Sequence, residues 1–152
     1  MTDQGLGTTT VTQIGIVVQD IEASTRAWAD LLGLPIPEIH ATATVDVAQT
    51  EYVGAPTPAR AKLAFFHLGQ VDLELIEPID EPSTWNDQLN RHGGSLHHIA
   101  FQIKGMQEKL AYLDAKGVAL VQRGEYTGGR YAYVDSTAKL GTVLELLEND
   151  RK

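Results

Sequence analysis

The sequence predicts an α+β fold in which two tandem βαβββ modules form one cup-shaped, mostly antiparallel eight-stranded sheet around a metal site. Two observations lead to this prediction. Strand and helix patterns recur in the same order in the two halves of the chain, and polar side chains occupy matching positions in the repeated strands. A chain of 152 residues is long enough for one compact domain built from two such modules.

The first module is predicted over residues 11–80, after a flexible tail at 1–10. A strand at 12–18 leads into a helix from Ile21 to Leu32, whose apolar residues lie near one face and which Gly33 ends. Three more strands follow, and a loop containing glycine and prolines separates the first two of them. These strands are predicted at 40–52, 61–68 and 71–77, and the loop at 51–60.

The second module is predicted over residues 95–149, and a short helix at 83–92 links it to the first. It repeats the same order: a strand, a helix from Met106 to Lys116 that Gly117 ends, and three further strands. The strands are predicted at 97–103, 118–123, 130–134 and 142–148. Because four elements recur in order, we interpret residues 11–149 as a single internally duplicated domain.

Four polar residues occupy equivalent positions in the repeated strands. Gln13 in the first module matches His98 in the second, and Glu74 matches Glu145 within a shared Leu-Glu-Leu-(Ile/Leu)-Glu pattern. Alternate residues of a strand point to opposite faces, so we expect all four side chains on the concave face, opposite the helices. One imidazole, two carboxylates and an amide oxygen suit an octahedral divalent metal with two positions left for water or substrate.

The same alternation makes predictions about neighbouring polar residues. His97 precedes His98 directly, so we expect only His98 to face the cup. Glu77 and Glu148 lie three positions beyond the candidate ligands, and we expect them on the opposite face, exposed to solvent or at a strand end.

Composition argues against several classes of function. A formal net charge of −8 disfavours nucleic-acid binding, and the absence of cysteine excludes thiolate zinc sites, disulfides and cysteine nucleophiles. No apolar run approaches the length of about 18 residues that a membrane span needs, and the first residues do not form a leader pattern. We therefore expect a cytoplasmic protein without nucleic-acid or membrane partners.

Three segments carry a resemblance to a known family: Ile14-Gly-Ile-Val-Val-Gln-Asp20, Gly94-Ser-Leu-His-His-Ile-Ala100 and Gly141-Thr-Val-Leu-Glu-Leu146. Over about residues 11–149 the sequence resembles the vicinal oxygen chelate superfamily, which includes glyoxalases, bleomycin-resistance proteins and dioxygenases, and it is most similar to methylmalonyl-CoA epimerases. The resemblance implies a divalent metal (Zn, Ni, Co, Mn or Mg) on Gln13, Glu74, His98 and Glu145.

The ligand set departs from that of the epimerases. Gln13 stands where those enzymes usually have His, and Glu74 stands where they usually have Gln. The resulting set is similar to that of some glyoxalase I enzymes, although the first strand lacks the Arg with which they grip glutathione. Dioxygenases of the superfamily use two histidines and one glutamate, so a redox iron site is not expected here.

The resemblance and the donor set together predict a metal-dependent isomerase, epimerase or lyase that removes a proton next to a carbonyl. Glu145 is the expected base and Glu74 the second candidate. Arg130, Lys62 and Arg60 are candidate contacts for an acyl-CoA or thiol-adduct substrate. Two alternatives stay open: a glyoxalase I-like lactoylglutathione lyase and a non-catalytic binding protein of the bleomycin-resistance type.

Apolar sheet edges in this fold favour a homodimer. The sequence leaves open whether each site is formed within one chain or shared between two. It also leaves open the substrate, the metal and the stereochemistry.

Overall fold

The structure is a computed structural model that describes residues 5–150. It contains ten strands: β1 Val11–Val17, β2 His40–Ala41, β3 Glu51–Tyr52, β4 Ala55–Pro56, β5 Arg60–Leu68, β6 Val71–Ile79, β7 Ser95–Gln102, β8 Leu120–Tyr126, β9 Gly129–Val134 and β10 Val143–Asn149. The helices are α1 Ile21–Leu32, α2 Val45–Ala48, α3 Thr84–His92, α4 Met106–Ala115 and α5 Thr137–Leu140.

All ten strands form one curled mixed sheet in the order β2-β5-β6-β1-β7-β10-β9-β8-β3-β4. The first strands of the two modules, β1 and β7, pair antiparallel at its centre. Outward from this pair the order is the same on both sides: β6, β5 and β2 beyond β1, and β10, β9 and β8 beyond β7. The α+β class and the two repeated modules therefore appear in the fold as the sequence predicted.

The predicted strand count is wrong, because the sheet has ten strands rather than eight. Most strand pairs are antiparallel as predicted, and the sheet is mixed because the last strand of each module runs parallel to the first. The stretch predicted as one strand at 40–52 instead contains β2, the helical turn α2 and β3. In the helical turn α2 the structure buries Ala48 and leaves Val47 64% exposed.

The excess residues of the first module form a hairpin that extends the second module. Strands β3 and β4 pair with each other through a turn at Val53 and Gly54, and β3 also pairs with β8. Arg123 on β8 forms an ion pair with Glu51 on β3 at 2.9 Å. The first module therefore contributes backbone to the second module's half of the sheet.

Helix α1 has the predicted bounds, and local chemistry explains both ends. The Asp20 side chain accepts a hydrogen bond from the Ala23 amide at 3.1 Å, and Gly33 ends the helix in a left-handed conformation with φ 68°. The buried face carries Ile21, Thr25 and Ala29. The linker helix α3 and helix α4 also form where the sequence predicted them.

Glu77 and Glu148 have a structural role that the sequence did not predict. Glu77 accepts a hydrogen bond from the amide of Ile21, at the start of α1, and Glu148 accepts one from the amide of Gly105, at the start of α4. Carboxylates at helix N-termini satisfy free amides and interact favourably with the helix dipole. Because both modules repeat the contact, it belongs to the duplicated unit.

The sheet separates two kinds of core. On the helix side, α1 packs on β5 and β6, and α4 packs on β9 and β10. On the concave side a third cluster is built around Trp85 of α3, together with Val17, Ala61, Ile76 and Tyr133. Helix α3 therefore closes part of the cup.

Residues 1–4 of the predicted tail lie outside the described residues, and Leu6 packs against the core of the second module. Within residues 5–150, no helix has both the length and the apolar character that crossing a membrane requires.

Candidate functional site

The four central strands of the sheet each contribute one of the predicted metal ligands to the concave face. Glu74 on β6 and His98 on β7 both pair with Gly15 of β1, and Ala100 on β7 pairs with both Gln13 and Glu145. Residues paired across neighbouring strands point to the same face, so the register directs all four polar side chains into the cup.

The structure brings these side chains into contact around one nitrogen atom. His98 Nε2 lies 2.9 Å from Gln13 Oε1, 2.8 Å from Glu145 Oε2 and 3.5 Å from Glu74 Oε1. His98 is fully buried, and Glu145 and Glu74 are 3% and 7% exposed. The sequence therefore predicted which residues meet in the cup, and two of them come from each module.

One imidazole nitrogen cannot satisfy three oxygen atoms. The contact between His98 Nε2 and Gln13 Oε1 has hydrogen-bond geometry, whereas Glu145 Oε2, although closer, lies off the direction of a ring N–H bond. Among residues 5–150, no side chain or amide forms a hydrogen bond with the buried atoms Glu74 Oε1 and Glu145 Oε2. Buried carboxylate oxygens without a partner are costly, and a bound cation would satisfy both.

The predicted metal site is nevertheless not preformed. Across residues 5–150, no group of three or more histidine, cysteine, aspartate or glutamate side chains is arranged to hold a metal ion. The donor types, one imidazole nitrogen, two carboxylates and the Gln13 amide oxygen, match a hard or borderline divalent ion. The residues therefore fit a cation by chemistry and by their unpartnered oxygens.

Burial and mutual charge shift the ionisation of this cluster. Burial raises the pKa of Glu74 to about 8, with His98 acting against the shift and Glu145 adding to it. Burial alone would lower the pKa of His98, but the carboxylates of Glu145 and Glu74 outweigh it and raise that pKa. Burial and the adjacent His98 lower the pKa of His97 well below its usual value, so His97 is neutral.

His97 also faces the cup, contrary to the prediction from strand alternation. Gly15 pairs with His98 while the next residue, Ile16, pairs with Leu96, so His97 is the extra residue of a β-bulge. The bulge brings both imidazoles together, with their Nδ1 atoms 2.8 Å apart. His97 Nε2 lies 3.1 Å from Thr84 Oγ1 of α3.

Gly15 provides the space that the His98 ring occupies. A Cβ atom built on Gly15 would lie 2.1 Å from Cε1 of His98 and 2.5 Å from both ring nitrogens. No side chain fits at that distance, so glycine is required here for a steric reason. The sequence did not predict this role, because the pairing of Gly15 with His98 appears only in the folded sheet.

Aromatic side chains, which the sequence patterns did not single out, form a wall of the cup. The rings of Tyr133 and His98 lie 5.1 Å apart, and Trp85 Nε1 donates a hydrogen bond to Tyr133 Oη at 3.1 Å. Burial raises the pKa of Tyr133 and of Tyr131, so both hydroxyls stay protonated. The wall supplies an apolar surface beside the polar cluster.

The three predicted substrate-binding residues are not brought together with the four cup residues. By strand alternation they share the face that carries the helices. Arg130 forms an ion pair with Glu148 at 2.9 Å, Lys62 lies 3.4 Å from Glu77, and Arg60 Nε donates to the carbonyl oxygen of Thr42 at 2.9 Å. Their proposed contact with substrate stays a prediction.

Two of the surface cavities that residues 5–150 form contain predicted site residues or their neighbours. The larger, of about 660 Å³, lies beside the start of α4 and includes Arg130 and Glu148, on the helix side of the sheet. The smaller, of about 290 Å³, includes Thr84 of α3 and reaches His97 and Tyr133. Only the smaller of these two touches residues that contact His98.

Comparison with known proteins gives a consistent result. A model of the Glyoxalase/Bleomycin resistance protein/Dioxygenase superfamily matches residues 12–134. The uncharacterized protein YqjC of Bacillus subtilis (strain 168) is 30% identical over 138 residues, which cover 89% of each chain.

Several solved structures share the fold. A hypothetical protein from Bacillus halodurans C-125 has a TM-score of 0.66 at 20% identity, covering 93% of this chain and 95% of its own. Methylmalonyl-CoA epimerase from Mycobacterium tuberculosis has a TM-score of 0.66 at 22% identity, and the match covers 99% of this chain and 94% of the epimerase chain. A methylmalonyl-CoA epimerase in complex with methylmalonyl-CoA and NH4+ has a TM-score of 0.63 at 22% identity, covering 93% and 94%. Likeness at these identities shows the shared fold.

Proposed function

The chain belongs to the Glyoxalase/Bleomycin resistance protein/Dioxygenase superfamily, and we propose that it is a metal-dependent isomerase, epimerase or lyase acting next to a carbonyl group. Among known reactions of this kind, we propose that its reaction is most similar to that of methylmalonyl-CoA epimerase. One observation carries the proposal: Gln13, Glu74, His98 and Glu145 converge in a buried cup in which two carboxylate oxygens have no partner.

Gln13, Glu74, His98 and Glu145 would hold the divalent ion. When bound, such an ion polarises a carbonyl group and stabilises the negative charge that develops when a neighbouring C–H proton is removed. The chain's own residues would bind the substrate, orient it and move the proton.

The two glutamates suit the proton transfer. Glu145 is the proposed base and Glu74 the second candidate. Both carboxylates lie beside His98 Nε2, and neither Glu145 Oε2 nor Glu74 Oε1 accepts a hydrogen bond from the described residues. Their strands, β6 and β10, flank the central pair β1–β7 on opposite sides. Carboxylates that approach from two sides suit a reaction that takes a proton from one face of a carbon and returns one to the other.

The surrounding wall would exclude water from the reacting atoms. His98 is fully buried, and Trp85 and Tyr133 are each 3% exposed. Removal of water strengthens every electrostatic interaction inside the cup. The cavity beside His97 and Tyr133 is the proposed entry for the acyl end of an acyl-CoA or thiol-adduct substrate.

Proton exchange tests the proposal directly. Protein purified with Co²⁺ and incubated with methylmalonyl-CoA in deuterated water should incorporate deuterium at the α-carbon. Glu145→Gln should reduce the rate by at least about 100-fold, as expected for loss of a general base. Glu148→Gln, on the opposite face of the same strand, is the matched control and should retain the rate.

A glyoxalase I-like lyase is the second candidate, and the resemblance of the Gln, Glu, His, Glu donor set to that of some glyoxalase I enzymes favours it. Turnover of the hemithioacetal of methylglyoxal and glutathione, without exchange in methylmalonyl-CoA, would select this activity. If the metal-loaded protein binds such compounds but exchanges no proton in any of them, the non-catalytic binding role replaces both.

A further inference from the structure

A chain of hydrogen-bonding groups lies behind His98, on the side away from the carboxylates. Nδ1 of His98 is 2.8 Å from Nδ1 of His97, and Nε2 of His97 is 3.1 Å from Oγ1 of Thr84. Both histidines are buried, at 0% and 2% exposure. The function proposed above gives neither His97 nor Thr84 a part in holding the ion or moving the proton, although both line the cavity proposed as the substrate entry.

The geometry restricts where the protons of this chain can be. Two nitrogen atoms 2.8 Å apart share one proton, so one Nδ1 donates and the other accepts. When a cation or a second proton occupies Nε2 of His98, Nδ1 of His98 must carry a hydrogen. His97 then accepts at Nδ1 and carries its own hydrogen on Nε2, where Thr84 Oγ1 accepts it.

We propose that His97 is a positioning residue, held by Thr84, that accepts a hydrogen bond from Nδ1–H of His98 and so directs the lone pair of His98 Nε2 toward Gln13, Glu74 and Glu145. This inference rests on the proposed function, because it assigns a role around the same cation site. The β-bulge at His97 is what makes the contact possible. A regular strand would direct His97 to the other face.

Removal of a group that accepts a hydrogen bond from a metal-binding histidine typically lowers metal affinity by about 10- to 100-fold. His97→Leu, which cannot accept a hydrogen bond, should therefore weaken Co²⁺ binding by about that factor. His97→Asn should restore most of the affinity, because an Asn Oδ1 atom can accept a hydrogen bond near the position of Nδ1.

Thr84→Val tests the hydrogen-bonded chain Thr84–His97–His98 without altering either imidazole. It removes the hydroxyl while keeping the side-chain volume, so it keeps the inference testable if His97→Leu does not fold. We expect Co²⁺ affinity to fall by up to about tenfold. Thr137→Val is the matched control, since Thr137 is also the first residue of a helix, lines the same cavity and is exposed.

The experiment combines Co²⁺ titration, followed by the visible absorption of the bound ion, with long-range ¹H–¹⁵N NMR of the Zn²⁺-loaded protein. The expected spectrum shows His98 with hydrogen on Nδ1 and His97 with hydrogen on Nε2. A His97 hydrogen on Nδ1, or His97→Leu and Thr84→Val proteins that both bind Co²⁺ as tightly as the wild type, would overturn the proposed role of His97 alone. A wild-type protein that binds neither Co²⁺ nor Zn²⁺ would overturn the proposed function, and with it the role proposed for His97.

Discussion

Gly15 shows how one residue without a side chain can decide whether a site exists. The His98 ring occupies the space where a Cβ atom of Gly15 would be, at 2.1 Å from Cε1. Because β1 and β6 are fixed by their ladder, the ring rather than the backbone would have to move. The position of His98 is therefore set by the sheet and not by the cation.

Gly15→Ala should displace His98 and abolish Co²⁺ binding while lowering the free energy of unfolding by about 1–3 kcal/mol, the usual cost of overpacking a core. Gly94→Ala is the control, since its added Cβ would meet nothing closer than the Val17 carbonyl oxygen at 3.6 Å. Titration with Co²⁺ and urea denaturation of both variants check this. Retention of wild-type affinity in Gly15→Ala would contradict the steric account.

Helix α4 depends on a carboxylate from a strand. Partial burial disfavours ionisation of Glu148, but the amides at the start of α4 and the Arg130 guanidinium outweigh it and lower its pKa below 4.5. A carboxyl whose pKa is lower in the folded chain stabilises the fold above its unfolded value and loses that contribution as pH falls through the folded value.

Glu148→Gln should therefore lower the free energy of unfolding by about 1 kcal/mol at pH 7, the usual contribution of a helix N-terminal partner. The difference from wild type should shrink as pH falls below about 4.5, the unfolded value. Denaturation of both proteins from pH 3 to pH 7 measures it. A constant difference across that range would show that charge is not the cause.

The β3–β4 hairpin contains a residue in an unfavourable conformation. Val53 has φ 50° and is 69% exposed, and Gly54 follows it with φ 79°. Two consecutive residues with positive φ are typical of the hairpin turn that favours Asn-Gly, and a β-branched residue there is strained.

Val53→Asn should raise the free energy of unfolding by about 1 kcal/mol, because asparagine tolerates the left-handed region far better than valine. Val47→Asn serves as the control: Val47 is similarly exposed, at 64%, but lies in α2 without positive φ. Thermal denaturation distinguishes the two. An equal effect of both substitutions would point to loss of exposed apolar surface instead of relief of strain.

Sequence patterns predicted the parts of this molecule that depend on local periodicity. The apolar spacing and Gly33 predicted helix α1, and strand alternation together with the duplication predicted that Gln13 and His98 share one face. The β-bulge at His97 was missed because a bulge breaks the alternation on which the prediction rested. A bulge is fixed by pairing between strands distant in sequence, which periodicity does not report.

Other features were missed for the same physical reason. The roles of Glu77 and Glu148 depend on where helices begin in space, and the attachment of β3 to β8 joins residues about 70 positions apart. Arg130 has carboxylate partners on β10 and in its own hairpin, so the ion pairs of the folded sheet, rather than the turn before it, determine its surroundings.

Association of two chains is a prediction for the whole molecule. Exposed apolar side chains at the end of α1 and just beyond it, Leu31 at 82%, Leu32 at 45% and Ile36 at 61%, give a surface that a homodimer would bury. Sedimentation at micromolar concentration should show a dimer, and Leu31→Glu with Ile36→Glu should give a monomer. A wild-type monomer under these conditions would contradict the prediction.

A cation in the cup would join the two halves of the molecule. Gln13 and Glu74 belong to the first module, His98 and Glu145 to the second, and the modules meet at the β1–β7 pair. An ion that binds only the folded chain stabilises it by mass action, by about 2.7 kcal/mol at one hundred times its dissociation constant. For a chain of this size that corresponds to a rise in melting temperature of about 5–10 °C.

We therefore expect Zn²⁺ to raise the melting temperature of the wild-type protein and to slow amide hydrogen exchange most in β1 and β7. Glu145→Gln removes one donor of the second module and should show little of either effect. Exposed histidines such as His67 and His92 can also bind Zn²⁺, so the variant separates the two sources of stabilisation. If Zn²⁺ stabilised Glu145→Gln as much as the wild type, the ion would be bound outside the cup. It would then not stabilise the junction between the modules.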